Sequence, residues 1–275
     1  MAYIFGPRDI DECLRYVRVQ DLYVHVDKLG KLISKYNRPI VMESEHNDFP
    51  FYFRGSACPL RLKNSFFVAT CFHNFQDVNS PLGNSFLQAR LGGGMQSNIP
   101  LTRSFIPTKQ LRDTADCLDV AFFEADVSGV SADGLDCEFF DISRASSCCV
   151  PVSNEPILAC GFPYSKGTAD YQSETISRPA VIVDGRFERW SNEPHIFYCN
   201  IQKNPAGGVS DGFSGGGAFG IRPVHRVQHL IPFGTEVCFS GIVVRGNDNY
   251  FYAIKSDFIR MSLRNLMMAH PRSEG

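Results

Sequence analysis

The sequence predicts an all-β protein framed by a helix at each end, and three observations carry that prediction. From about residue 40 onward, short runs rich in Val, Ile, Phe and Tyr alternate with turn-forming groups such as Leu82-Gly83-Asn84, Asp133-Gly134, Asp184-Gly185 and Gly246-Asn247-Asp248. Runs of that length and composition, broken at that spacing, are the strands of a barrel or sandwich. Before residue 40 and after residue 255 the apolar residues recur instead at helical spacing.

Residues 1–40 are expected to form a helical extension. Leu14, Val17, Leu22, Val26, Leu29 and Ile33 fall at helical intervals, Asp9 and Glu12 have the spacing of a capping box, and Asn37 to Pro39 ends the pattern. Residues 41–145 and 146–262 form two β halves, with the polar stretch DISRASSCCVPV at 141–152 as the linker. At the end, 256–275, Ser256-Asp257 caps the amphipathic run FIRMSLRNLMM, and a polar tail follows Pro271. The chain has no internal repeat and no low-complexity tract.

Composition excludes several classes of function. With 275 residues and 44% hydrophobic content, the chain can bury one large or two small cores. Its 27 basic and 29 acidic residues leave a net charge of -2, so no electrostatic footprint for nucleic acid or an anionic membrane is expected. No run approaches the roughly 18 apolar residues of a membrane helix, and no basic start precedes an apolar stretch, so the expected location is the cytoplasm. The ten cysteines are then expected to be reduced and buried. None makes a CxxC pair, and His225 and His229 read as parts of a solvated loop, so no metal is expected. The adjacent Cys148 and Cys149 leave a redox role open.

Chemistry is carried by three short segments. Gly212-Phe213-Ser214-Gly215-Gly216-Gly217 surrounds a serine with glycines, which permits the tight turn that exposes a nucleophilic Oγ and frees backbone N–H groups for an oxyanion. FFVATCFHNF at 66–75 places His73 at the end of an apolar strand, where it can serve as the base. DCLDVAFF at 116–123 places Asp119 before another such strand, where its carboxylate can orient the imidazole; Asp116 or Asp126 could take that part instead.

In this order, His then Asp then Ser, the three segments resemble those of the chymotrypsin and trypsin family. CGFPYSK at 160–166, SGIVVRG at 240–246 and YFYAI at 250–254 are similar to further stretches of the same family, so the resemblance spans roughly residues 50–262. It implies two six-stranded antiparallel barrels. It also implies a serine endopeptidase that uses His73, Asp119 and Ser214 without cofactor or metal on protein or peptide substrates. Gly212 and Ser214 would form the oxyanion hole, and Gly208, Gly246 and Tyr250 the side-chain pocket. Gly208 at the pocket base has no carboxylate and Tyr250 fills a wall position, so the pocket is expected to be shallow and neutral.

Some positions depart from the family pattern. Phe213 stands where secretory members carry an aspartate, which excludes activation by a salt bridge to a new N-terminus. Val244 stands at the strand position of a serine, and residues 221–237 lengthen the following loop. Cys58 has a family counterpart, but Cys71 lies two residues before His73 and not one after, so that disulfide is not expected. Alternative readings are a weakly catalytic binding or scaffold module, with the N-terminal segment as the contact for a regulatory protein, and a serine esterase on the same site.

Overall fold

The computed structural model describes residues 15–43, 51–75, 85–90, 96–105, 119–128, 138–170, 175–193, 195–203, 212–224 and 234–269. In chain order the first half comprises β1 (Tyr16–Val19), β2 (Leu22–His25), α1 (Val26–Ile33), β3 (Arg38–Glu43), β4 (Phe51–Leu62), β5 (Ser65–Thr70), β6 (Ser85–Arg90), β7 (Gln96–Phe105), β8 (Ala121–Ala125) and β9 (Phe140–Asp141). The second comprises β10 (Pro156–Gly161), β11 (Thr168–Asp170), β12 (Thr175–Ser177), β13 (Val181–Trp190), β14 (Ile196–Lys203), β15 (Gly217–Val224), β16 (Gly234–Gly246), β17 (Tyr250–Lys255) and α2 (Ser256–Ala269).

The second half closes into a six-stranded antiparallel barrel. Its strands pair in the order β15-β10-β13-β14-β17-β16, and β15 also pairs with β16. The first half is a curled half-barrel sheet in the order β3-β6-β7-β8-β5-β4-β9, with β3 lying along both β6 and β4. Together they make a chymotrypsin-like architecture. Of the two closed barrels expected, one is established.

Strand periodicity decides which residues meet. Along β5, Val68 points into the first half's core with Ile40, Leu101 and Phe123, while its neighbours Phe67 and Ala69 point the other way. Along β16, Val243 enters the barrel core with Phe197, Phe213 and Phe251, while Ile242 and Val244 face outward. The outward residues of both halves merge into a third core containing Tyr36, Phe140, Phe219 and Phe239. There the Tyr36 ring meets Phe140 edge-on at 5.1 Å, and Phe140 meets Phe219 at 5.3 Å. Side chains on alternate sides of a strand thus fill a private core and a shared one.

The N-terminal segment differs from the helical extension expected of it. Asp9 and Glu12 lie outside the described residues, and residues 16–25 form two strands, with helix confined to Val26–Ile33. β1 runs parallel to β16, pairing Val17 with Thr235 and Val19 with Val237. In Tyr-Val-Arg-Val the two valines fall on one face of a strand and both are buried, a burial that a solvated helix would not provide. The C-terminal helix forms as expected, with Phe258, Ile259 and Leu263 buried.

Two other expectations need correction. Asp184-Gly185, read as a turn, lies inside β13 at a register shift, because a Cβ at Gly185 would come within 2.6 Å of the Phe251 ring and only glycine fits there. Not all cysteines are free: Cys149 in the linker is bonded to Cys238 on β16. Cys58, Cys71, Cys148, Cys160 and Cys199 are thiols outside any disulfide. Burial pushes the Cys148 thiol up to about 12, so it is a poor attacking thiol toward the adjacent disulfide. Gly246-Asn247-Asp248 does turn the chain between β16 and β17, where Asn247 N–H donates to the Tyr250 carbonyl at 2.8 Å. Among the described residues no helix is long and apolar enough to cross a membrane.

Candidate active site

The nucleophile candidate sits on a turn that the glycines make possible. Gly212 and Gly215 have φ of 97° and 92°, in the region that disfavours side chains. A Cβ at Gly215 would lie 2.0 Å from the Ser56 carbonyl oxygen, and one at Gly212 would lie 2.5 Å from that of Phe162. Between them Phe213 is fully buried in the barrel core against Gly161. The apolar side chain thus anchors the turn from below, at the position where a charged residue would have been costly to bury.

Hydrogen bonds then orient the turn from Gly212 C=O to Gly216 N–H. Gly212 C=O accepts from Ser56 Oγ at 2.5 Å, and Ser56 Oγ in turn accepts from Phe162 N–H at 2.8 Å. Phe213 C=O accepts from Gly216 N–H at 3.0 Å, and Gly215 N–H donates to Val243 C=O at 2.8 Å. A trans peptide points its N–H opposite to its C=O, so the Phe213 bond turns Ser214 N–H away from Gly216. Among the described residues neither Gly212 N–H nor Ser214 N–H has a hydrogen-bond acceptor. Two such donors are what an oxyanion site requires.

His73 lies in the short helical turn Phe72–Phe75 after β5, and Asp119 precedes β8, the strand paired with β5. Asp119 grips the histidine twice: Oδ1 accepts from the His73 backbone N–H at 2.8 Å, and Oδ2 lies 2.5 Å from Nδ1 of the ring. The carboxylate therefore keeps the proton on Nδ1 and leaves Nε2 as the basic nitrogen. Of the alternatives, Asp116 lies outside the described residues, and Asp126 is engaged by Ser128, whose N–H donates to it at 3.0 Å and holds its carboxyl below the usual range.

The residues flanking His73 tie it to the serine turn. Asn74 Nδ2 donates to Ser214 C=O at 3.2 Å and to Thr70 Oγ1 at 3.1 Å, while Thr70 Oγ1 donates to Ser56 C=O at 2.7 Å. Cys71 Sγ donates to Val243 C=O at 3.2 Å. His73 is thus held between two side chains that bond to the other half beside Ser214. The Ser214 hydroxyl itself donates to Val244 C=O at 2.8 Å, and among the described residues it makes no bond to His73. Attack assisted by His73 would require the hydroxyl to leave that carbonyl, and catalytic hydrogen bonds are often unformed before substrate binds.

Of the proposed pocket residues, Gly208 lies outside the described residues. Gly246 pairs with Phe251 across the β16–β17 ladder. The Tyr250 ring stacks on Tyr198 at 5.1 Å and meets Tyr252 edge-on at 5.4 Å, while Phe251 between them points into the barrel core. Arg245 covers the Tyr252 ring at 4.8 Å.

Sequence reading missed Ser56, Thr70, Asn74 and Asn37. Asn37 Oδ1 accepts from Gly217 N–H at 2.6 Å and its Nδ2 donates to Ile33 C=O at 3.0 Å, joining the segment after α1 to the serine turn. Asn74 alone had a local signal, its place beside His73. As for metals, Cys71 Sγ, a His73 ring nitrogen and an Asp119 oxygen lie within 4.8 Å of one another, near enough to share a cation. Such an ion would take up the groups that orient the base. No protein-family model and no curated protein matches the chain.

Proposed function

We propose that the protein is a trypsin-like serine endopeptidase. The observation that carries this reading is the double grip of Asp119 on His73 beside a serine turn in which, among the described residues, two backbone N–H groups have no acceptor. In this mechanism Ser214 Oγ leaves the Val244 carbonyl and gives its proton to His73 Nε2 as it attacks the substrate carbonyl. The oxyanion that forms is received by Gly212 N–H and Ser214 N–H. His73 then returns the proton to the departing amine, and a water molecule, deprotonated by the same imidazole, releases the acyl group. The first-half sheet serves as the counterpart of the family's first barrel. Gly208, Gly246 and Tyr250 form a shallow, uncharged pocket for the side chain before the scissile bond.

The resting bond of Ser214 to Val244 is the observation that favours the competing reading, a binding module with a weak site. Reaction with a fluorophosphonate probe decides between them. The wild-type protein is expected to be labelled at Ser214, with no labelling of Ser214→Ala; no labelling of either protein, or equal labelling of both, overturns the enzyme reading. Cleavage of a peptide library by the unlabelled wild-type protein, and its loss in Ser214→Ala, separates a peptidase from an esterase.

A further inference from the structure

We infer that Arg178 recognises a carboxylate on the leaving-group side of the scissile bond, an inference that rests on the endopeptidase reading above. Arg178 lies between β12 and β13, and its guanidinium carbon sits 4.0 Å from the centroid of the Phe53 ring and 4.6 Å from that of Tyr164. Phe53 belongs to β4 in the first half and Tyr164 follows β10 in the second, so the cation is clamped by one ring from each half. Two ring faces fix the plane of the guanidinium and leave its N–H groups to act at its edge. Gly167 makes the fit possible, since a Cβ there would lie 2.8 Å from Arg178 Nε.

The cation has lost water without gaining an anion. Nε and Nη1 are buried with no hydrogen-bond partner, and among the described residues no carboxylate pairs with Arg178. Nη2 is not shut in with them, so the fork opens toward solvent on that side. Burial lowers the affinity of the guanidinium for its proton, which agrees with an uncompensated charge. A buried donor without an acceptor is a cost the free protein bears, and an arriving carboxylate relieves it.

Its place relative to Ser214 follows from contacts already described. The Ser214 hydroxyl touches Val244 on β16, whose pairing with β15 ends at Ile242. Val243 bonds to Gly215 and Gly216 of the serine turn, and past it β16 runs on to Gly246 as the stretch to which an extended acyl segment would add as a strand. Gly212 lies on the other side of the turn, against Phe162, Pro163 and Tyr164, the backbone atoms that a Cβ at Gly212 would meet at 2.5 to 3.2 Å. Arg178, stacked on Tyr164, therefore stands on the side where the amine half of the cleaved bond departs. An acidic side chain one or two residues after the bond, or the terminal carboxylate of a chain ending there, presents the matching charge.

The test uses fluorogenic peptides identical except after the scissile bond. One carries Glu at the first or second position, one carries Gln, both with amidated ends, and a third carries Gln with a free carboxylate end. The wild-type protein is expected to cleave the Glu peptide about tenfold better in kcat/KM than the Gln peptide, the gain of one charge-assisted hydrogen bond. Preference for the third peptide and not the first assigns the carboxylate to a chain end. Arg178→Met, which keeps an apolar stem between the rings, should cleave the Gln peptide within about twofold of wild type and lose the preference; Arg178→Lys should keep part of it. A wild-type preference near one for both carboxylates, or an equal preference in Arg178→Met, overturns the proposal. Binding of the amine-side product peptides to Ser214→Ala, measured by fluorescence anisotropy, needs no catalysis. If fluorophosphonate labelling fails, the endopeptidase reading falls by that result, and equal affinity for Glu and Gln products independently overturns the role of Arg178.

Discussion

Ser214 and His73 belong to opposite halves of the molecule and are held in place by different means. The serine turn is gripped through its backbone: carbonyls and N–H groups of residues 212–217 bond to Ser56, Asn74, Val243 and Asn37, and glycines let those groups approach closely. The imidazole is oriented by one carboxylate, Asp119, just before a neighbouring strand. Backbone-held geometry depends on residues having no side chain and is coupled to folding. Side-chain-held geometry depends on one charge and is coupled to chemistry. Substitutions in the two regions should therefore fail in distinguishable ways.

The sharpest separation is expected from Asp119→Asn. The amide oxygen can still accept from His73 N–H, so the melting temperature should stay close to wild type, while kcat falls by about 10⁴ because the ring loses its preferred tautomer. Stopped-flow cleavage beside a thermal melt measures both; a loss of only severalfold would move the orienting role to Asp116. Gly215→Ala should do the reverse in kind. Its Cβ would lie 2.0 Å from the Ser56 carbonyl and 2.3 Å from Thr70 Oγ1, so the fold itself must give way. A loss of about 2–3 kcal/mol, or roughly 4–12 °C in Tm, is expected by calorimetry, with labelling of Ser214 lost in parallel.

Ser56→Ala lies between these extremes. It leaves Gly212 C=O and Phe162 N–H without their shared hydroxyl, at a cost of about 1–3 kcal/mol. The fluorophosphonate reaction should slow by about tenfold as the turn between the two donors, Gly212 N–H and Ser214 N–H, loses one of its fixed points. Unchanged labelling would mean that the glycines alone hold the turn. The smallest effect lies away from the site, at His195, whose ring stacks on Phe258 at 4.6 Å. Burial, and then the Lys255 cation, hold its pKa below the ordinary histidine range. The unfolded chain accordingly takes up the proton more readily. This contribution to stability is complete above the unfolded value of about 6.5 and is lost as pH falls through the lower folded value. Urea midpoints measured down this range should decline, and His195→Asn, which tolerates the φ of 70° there, should flatten that part of the curve.

The same division explains what could be read without coordinates. His73, Asp119 and Ser214 each stand at a recognisable junction of an apolar run with a polar residue or a glycine turn, so local pattern located them. Ser56 and Asn37 could not be found that way, because their bonds to Gly212 and Gly217 span 156 and 180 residues and nothing near them in sequence marks the partner. The N-terminal segment misled for a related reason. Val17 and Val19 satisfy a strand that exists only where β16 lies alongside, so their pattern has no local referee. At Asp184-Gly185 a turn signal was instead a clearance for the Phe251 ring. The all-β character and the C-terminal helix, which rest on dense local periodicity, were legible from the start, whereas closure into a barrel was expected only from the family resemblance.

The bond between Cys149 and Cys238 closes a covalent ring of chain with a sequence separation of 89, and Ser214 lies inside that ring while His73 and Asp119 lie outside it. A single cut of the backbone anywhere between the two cysteines, whether self-inflicted or by another protease, therefore opens the ring without releasing a fragment. Such a nicked molecule would migrate under denaturing conditions as one species until reduced; reduction would then part Ser214 from His73 and Asp119 if the cut lay before the serine, and leave all three on one fragment if it lay after.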